Sequence, residues 1–157
     1  MLKKRAKNGR MIDDISKGEK LTLSEKIMDK DILLYLGLTD DANPLFIQHD
    51  YASQTPYKRP IVPTSMLTGI ITSAISKYLP GPGSNILKQS LEFPRPVYHY
   101  ETIQLLFEII SVDKTNHTLE LYVQVTNEKD EIVIIGSLIV CPPYRLEKME
   151  GKVLENF

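Results

Sequence analysis

The stretch 65–79, SMLTGIITSAISKYL, contains the clearest helical pattern in the sequence. Its apolar residues recur at spacings of three and four, which places them on one face of a helix. They are Leu67, Ile70, Ile71, Ala74, Ile75 and Tyr78. The other positions are mostly small and uncharged, and Lys77 is the only charged residue. A helix with so little charge is expected to be surrounded by other structure, and the PGPG sequence at 80–83 ends it.

The sequence after this helix predicts four consecutive β-strands. They are expected at 85–93, 102–112, 118–126 and 131–141. In the third strand, apolar residues alternate from Leu119 to Val125, as in a strand with one buried face. The connection 127–130 is short enough for an antiparallel hairpin. One long helix followed by long antiparallel strands predicts an α+β fold in which the sheet wraps around the helix.

The sequence before the helix predicts a shorter strand and helix and then a long loop. Alternation from Leu21 to Ile27 indicates a first strand. A short helix is expected at 29–38, with Asp29 as its cap and Gly37 at its end. The segment 39–63 is polar and contains prolines, with one helical turn expected at 49–53. Loops of this length inside a compact domain are often functional.

The composition narrows the class of protein. The chain has 157 residues and a net charge of −1, so we expect one domain that binds neither nucleic acid nor an anionic membrane. The single cysteine, Cys141, excludes an internal disulfide and fits a cytoplasmic location. We expect a basic tail at 1–12, the domain at 13–143 and a charged C-terminal segment at 144–157.

An ordered series of motifs runs through the chain. It comprises Asp41-x-Asn43-Pro44-Leu45, Arg59-Pro60-Ile61-Val62-Pro63, Met66-Leu67-x-Gly69, Leu79-Pro80-Gly81-Pro82-Gly83-Ser84 and Gln89-x-x-x-Phe93-x-x-Pro96-Val97. The series resembles the MaoC-like, R-specific enoyl-CoA hydratases. The resemblance implies a hot-dog fold, with an antiparallel sheet around one long central helix. It further implies a homodimer with acyl-thioester pockets near the subunit interface. We expect no cofactor. We also expect no metal, because the three histidines, His49, His99 and His117, have no metal-ligand spacing among themselves or with Cys141.

The resemblance also implies a reaction. In that family an aspartate and a histidine hold one water, which adds to C3 of a trans-2-enoyl thioester while a proton goes to C2. The substrate is a thioester of CoA or of acyl carrier protein. The thioester oxygen becomes negative and is stabilised by a backbone N–H at the start of the central helix.

The reactive loop matches the family only in part. Asp41 matches the family aspartate and is the expected catalytic carboxylate, and Asn43 matches the asparagine that braces the loop. Phe46 stands where the family has its histidine, and it cannot transfer a proton. His49, three residues later, is a candidate replacement, and His99 in the strand-linking turn is a weaker one.

The start of the central helix departs from the family as well. The usual glycine before the Met-Leu pair is replaced by the sequence Pro63-Thr64-Ser65-Met66, apparently with one extra residue. We expect Asn43, Phe46, Ser65 and Met66 to contact the substrate, with the Ser65 N–H facing the thioester oxygen.

Alternatives remain open for these residues and for the function. Asp41 is also explained as a loop residue that bonds to nearby N–H groups, and His49 as an exposed residue at a helix start. A non-catalytic acyl-CoA-binding or accessory subunit is the second functional hypothesis, because Phe46 suits an apolar pocket. A thioesterase is the third, although the helix at 65–79 contains no carboxylate.

Overall fold

The computed structural model describes residues 8–146. These residues form an α+β domain with one long helix and five strands, as the sequence predicts. In chain order the elements are a 3₁₀ turn at Ile12–Asp14, β1 (Lys20–Lys26), α1 (Asp29–Thr39), α2 (Pro44–Ile47), α3 (His49–Ser53), α4 (Thr64–Tyr78), β2 (Asn85–Glu92), β3 (Thr102–Asp113), β4 (Thr118–Thr126) and β5 (Ile132–Cys141).

The five strands form one antiparallel sheet in the order β1-β3-β4-β5-β2. Strands β3, β4 and β5 follow each other as hairpins, so the hairpin expected at 127–130 is confirmed. The strand that precedes α4 in the sheet and the strand that follows it occupy opposite edges, where β1 pairs with β3 and β2 pairs with β5. The chain therefore crosses the sheet through the segment that contains α1 to α4.

One hydrophobic core joins α4 to the sheet. Leu67, Ile71 and Ile75 on α4 are buried together with the alternating apolar residues of β4. Those strand residues are Leu119, Leu121, Val123 and Val125, all of which are buried. The predicted buried faces of the helix and of this strand are confirmed. The residues that the helical period of 3.6 and the strand period of two place on one face are the ones that are buried.

The boundaries of the helices differ from the sequence-based expectations. Asp29 does not cap α1, whose N-cap is Met28 without a side-chain hydrogen bond. The helix continues past Gly37 to Thr39, and its C-cap Asp40 adopts the left-handed conformation (φ 54°) that was expected of glycine. Helix α2 was not predicted, although Asn43 as cap and Pro44 at the first helical position are recognised start signals.

The N-terminal segment packs onto the domain from residue 9 onward. The Arg10 N–H donates to the Pro80 oxygen over 2.8 Å. Ile12 is 9% exposed and belongs to the hydrophobic core. The expected tail at 1–12 lies mostly outside the described residues, as does the expected C-terminal segment at 144–157, so both domain boundaries stay predictions.

Within residues 8–146, none of the helices combines the length and the apolar character needed to cross a membrane.

Candidate functional site

A cavity of about 470 Å³ lies beside α4. Such a volume is typical of small-molecule sites. One side of α4 lines it together with α1 and parts of β1 and β3. The helix residues are Ser65, Met66, Gly69, Ile70, Ser73, Ala74, Lys77 and Tyr78, and the α1 residues are Asp31, Tyr35 and Leu38. Ser65, Gly69, Ser73 and Lys77 are four residues apart, so they form one row along the helix that the cavity follows.

The first turn of α4 leaves a backbone donor free beside this cavity. The N-cap residue Pro63 provides no side-chain cap. Its carbonyl oxygen accepts from the N–H groups of Met66 and Leu67 over 3.1 and 3.2 Å. Among the described residues, the Ser65 N–H has no hydrogen-bond acceptor. Unpaired N–H groups and the helix dipole make this end of α4 favourable for a negative oxygen.

The carboxylate of Asp41 takes part in a local loop contact. Asp41 is half-buried, and its Oδ1 accepts from the Asn43 N–H over 3.0 Å. The Asn43 side chain in turn accepts from the Leu45 N–H over 3.0 Å and caps α2. Asp41 follows Leu38 by three residues but does not itself line the cavity. Asn43 thus bonds within the loop and caps α2. Its expected contact with the substrate and the catalytic role of Asp41 stay predictions.

The two residues considered for the missing imidazole have different surroundings. Phe46 lies in α2, is half-buried and packs against the hydrophobic core. His49 is exposed at the start of α3. Its charge contributes to a lowered pKa of Asp29, which lies at the start of α1. The side chain at position 46 thus provides no acid or base, and a role for His49 stays a prediction.

A third histidine occupies a well-defined place next to Phe46. His99 lies in the connection between β2 and β3, with its side chain 18% exposed. Its Nδ1 is 2.9 Å from Oδ1 of Asp29, and its Nε2 is 3.0 Å from the backbone oxygen of Phe46. The Tyr100 hydroxyl donates to the other Asp29 oxygen, Oδ2, over 2.6 Å. We call Asp29, His99 and Tyr100 the latch cluster.

The hydrogen bonds of the latch cluster shift the pKa values of two members. The hydrogen bond from Tyr100 lowers the pKa of the Asp29 carboxyl, and the bond and charge of His99 act in the same direction, against partial desolvation. The same Tyr100–Asp29 bond raises the pKa of the Tyr100 hydroxyl. Both shifts favour an ionised Asp29 and a neutral Tyr100, which is the state in which their contact is a good hydrogen bond.

The backbone of Tyr100 is held in the left-handed region, with φ of 67°. This conformation costs a non-glycine residue about 1–2 kcal/mol. The Tyr100 N–H donates to the Ile27 oxygen over 2.8 Å, and the Ile27 N–H donates to the Glu101 oxygen over 2.9 Å. These two bonds and the contact with Asp29 offset the cost and fix the turn against the end of β1.

Sequence reasoning assigned these residues incorrectly or gave them little weight. The prediction that Asp29 caps α1 is wrong, and His99 is the weaker of the two histidine candidates in the sequence. Asp29 and His99 are 70 residues apart, and Phe46 and His99 are 53 apart. No local spacing rule connects residues at such distances. The only local signal is a histidine next to a tyrosine in the strand-linking turn of the sequence.

A second cavity, of about 440 Å³, adjoins His99 on the side of the β4–β5 hairpin. The Arg59 guanidinium lies over the Tyr98 ring, 4.1 Å from its centroid. It is also 3.9 Å from Oε1 of Glu101, whose Oε2 is buried without a partner. Burial raises the pKa of Glu101. In the described range 8–146, no three His, Cys, Asp or Glu side chains come together as a metal site.

Comparison with known proteins extends these observations. A family model described as MaoC like domain matches residues 13–132. The (R)-specific enoyl-CoA hydratase of Rhodospirillum rubrum is 36% identical over 91 residues, which are 58% of this chain and 63% of the relative. The match thus spans less than two thirds of that relative. The (R)-specific enoyl-CoA hydratase of Aeromonas caviae is 26% identical over 126 residues, which cover 80% of this chain and 94% of the relative.

A solved structure supports the same fold. The unliganded R-hydratase PhaJ1 from Pseudomonas aeruginosa superposes with a TM-score of 0.79 at 23% sequence identity, covering 92% of this chain and 96% of that chain. At this identity the likeness shows the fold alone. Together with the five-stranded antiparallel sheet around α4, it confirms the predicted hot-dog fold.

Proposed function

We propose that this chain, which belongs to the MaoC-like domain family, interconverts enoyl and 3-hydroxyacyl thioesters of CoA or acyl carrier protein by adding or removing water. The observation that carries the proposal is the cavity beside α4, which is lined at one end of the helical row by Ser65, whose N–H has no acceptor among the described residues. Relatives of this chain are named hydratases and dehydratases, and they supply the reaction class.

The cavity offers separate places for the two parts of a fatty thioester. Met66, Ile70 and Ala74 provide an apolar surface for the acyl chain. From Ser65 to Lys77 the helix rises by about 18 Å, at 1.5 Å per residue. The thioester oxygen accepts from the Ser65 N–H, which stabilises the negative charge that develops as the enolate forms.

In the proposed reaction Asp41 acts on a water molecule that lies close to C3 of the substrate. The water oxygen bonds to C3, the C2–C3 double bond becomes single, and C2 receives a proton. One water thus supplies both the hydroxyl and the proton. Because Phe46 leaves Asp41 without its usual partner, we expect turnover to be about 10² to 10⁴ slower than with a positioned second group.

The activity is tested with crotonyl-CoA and longer enoyl-CoAs. We expect slow hydration by the parent protein, none above background in Asp41→Ala, and a gain of about tenfold or more in Phe46→His. Phe46→Leu controls for lost packing, since Phe46 lies against the core. A parent rate equal to that of Asp41→Ala, without a gain in Phe46→His, would end the proposal.

The place of the acyl chain is tested with two helical glycines. A Cβ on either Gly69 or Gly37 meets no atom within 4 Å, but only Gly69 lines the cavity. We expect Gly69→Leu to fill the cavity and to weaken binding of acyl-CoA about tenfold or more in calorimetry. Gly37→Leu is the matched control. Equal affinities for the two variants would place the acyl chain elsewhere.

A second candidate function is binding of an acyl thioester without turnover. It is favoured by the apolar Phe46 and by the His99 ring, both of whose nitrogens are already within hydrogen-bond distance of other groups. Binding of acyl-CoA without hydration in any variant supports this candidate. Release of free thiol from acyl-CoA supports the thioesterase alternative instead, for which α4 provides no carboxylate.

We also propose that the protein forms a homodimer through the edge strand β2. Within residues 8–146, β2 pairs only with β5, so its other edge is open. Leu87 on this strand is 55% exposed. An open edge of this kind is suited to a two-fold partner. Light scattering is expected to give twice the chain mass, and a monomer at micromolar concentration contradicts the dimer.

A further inference from the structure

Both ring nitrogens of His99 lie within hydrogen-bond distance of acceptors. The Phe46 backbone oxygen is a carbonyl and accepts only, and an ionised Asp29 also accepts only. A neutral imidazole has one N–H and one lone pair, so it satisfies one of these partners and directs its lone pair at the other. The ring satisfies both partners only as an imidazolium with two N–H groups.

The His99 ring connects three segments that are far apart in sequence. Asp29 lies at the start of α1, Phe46 lies in α2, and His99 itself is in the β2–β3 connection. The Asp29 side of this arrangement is fixed by the Tyr100 hydroxyl bond to Asp29 and by the bond from the Tyr100 N–H to the Ile27 oxygen. The His99–Phe46 contact therefore attaches α2 to this support, in addition to the bond from the Ile61 N–H to the Leu45 oxygen and the packing of Phe46 against the core.

We propose that His99 is a positioning residue whose doubly protonated ring holds the Phe46 carbonyl, and that it thereby sets where the side chain at position 46 sits in the reactive loop. In the resembling family, position 46 carries the catalytic histidine. Here the backbone of position 46 is held by another histidine, His99. The kinetic consequence rests on the proposed function, whereas the structural consequence does not.

Other charged groups surround the ring. Asp29 contacts the ring directly and accepts from the Tyr100 hydroxyl, and His49 from α3 acts on Asp29 through its charge. The cavity on the other side of His99 is lined by three cations and three carboxylates. They are Arg59, Arg95, Lys129, Glu101, Glu128 and Glu131. Because these charges are balanced in number, the direct contact with Asp29 is the dominant interaction of an imidazolium here.

Amide hydrogen exchange of residues 42–48 tests the structural consequence in the full chain. The reporting amides are those of Leu45, Phe46 and Gln48, each of which donates a local hydrogen bond. After correction for intrinsic rates, we expect exchange in His99→Gln to be about tenfold faster than in the parent at the same pH, as one charge-assisted bond is lost.

Two further measurements keep this test independent of folding defects. His117→Asn, which removes an imidazole in the β3–β4 turn, is the control and should keep the parent profile. Ring ¹⁵N chemical shifts of His99 should show two protonated nitrogens in the folded parent. A singly protonated ring, or exchange in His99→Gln equal to that in His117→Asn, overturns the proposal.

Kinetics separate this proposal from the proposed function. In the hydration assay, we expect His99→Gln to lower kcat about tenfold while KM changes less than about twofold, because displacement of position 46 affects the reacting water more than the acyl chain. If no variant turns over substrate, the proposed function fails and hydrogen exchange still decides the role of His99. If turnover occurs and His99→Gln leaves both kcat and exchange unchanged, the positioning role fails alone.

Discussion

The sheet-facing side of α4 and the segment 39–63 differ in how their structure arises. On the sheet side, Leu67, Ile71 and Ile75 repeat at helical spacing and meet strands that follow each other as hairpins. In the segment 39–63, the decisive contacts reach Tyr98 and His99, 41 and 53 residues further along the chain. Local periodicity therefore governs the framework, and long-range hydrogen bonds govern the reactive loop.

This difference shows which part of the molecule departs from the family motifs. The motifs recur in the framework, whereas Phe46 and Ser65, which depart from them, lie at or near the site. The latch cluster makes its contact with Phe46 in the same region. A framework that is fixed by burial tolerates such exchange, because the loop contributes little to the core.

The largest effect on the free energy of unfolding is expected when two isoleucines on opposite sides of α4 are truncated. Ile71 is fully buried, so Ile71→Ala should lower the free energy of unfolding by about 3–4 kcal/mol. Ile70 is half-buried at the cavity, and Ile70→Ala should cost less than half as much. Urea unfolding measures both values. Equal losses would show that the cavity side is packed as tightly as the sheet side.

A somewhat smaller effect is expected at a glycine of the framework. A Cβ on Gly136 in β5 would clash with the carbonyl oxygen of Ser90 in β2, so one strand must move. We expect Gly136→Ala to cost about 2–3 kcal/mol in urea unfolding. Gly37→Ala, in an open position of α1, should instead stabilise by about 0.5–1 kcal/mol. A neutral Gly136→Ala variant contradicts the close approach of the two strands.

The latch cluster predicts a pH dependence with a defined sign. The pKa of Asp29 is lowered from its ordinary value of 3.8 in the folded chain, so its contribution to stability is complete above that pH and disappears as the pH falls below it. The difference in unfolding free energy between the parent and Asp29→Asn should therefore be largest at pH 5–7 and shrink below pH 4. Asp50→Asn, at an exposed position of α3, is the control. A difference that grows toward acid pH contradicts this assignment.

The smallest effect on stability is expected from glycine substitutions at two residues with similar backbone conformation. Asp130 has φ of 58° in the β4–β5 turn, and Tyr100 has φ of 67° in the latch cluster. Asp130→Gly should stabilise by about 0.5 kcal/mol, because glycine adopts this conformation without strain. Tyr100→Gly gains the same relief but loses the bond to Asp29, so it should destabilise. Thermal unfolding at pH 7 gives both signs, and stabilisation by Tyr100→Gly would show that its hydroxyl contributes nothing.

The sequence by itself determined the framework of this protein. The apolar spacing in 65–79 and the alternation from Leu119 to Val125 each predict which residues are buried, because helices and strands have fixed side-chain periods. The motif series then identified the family and the absence of an imidazole at position 46. Helix ends were less accurate, since Asp40 rather than Gly37 supplied the left-handed residue that ends α1.

Only the tertiary structure decided which groups meet at the site. Asp29 and His99 come together because β1 and β3 pair, which brings the end of β1 against the turn that contains His99 and Tyr100. Asp29, which was expected to cap α1, is for this reason the hydrogen-bond partner of His99. Hydrogen bonds between side chains 70 residues apart depend on the register and packing of whole elements, and the spacing of residues along the chain contains no record of them.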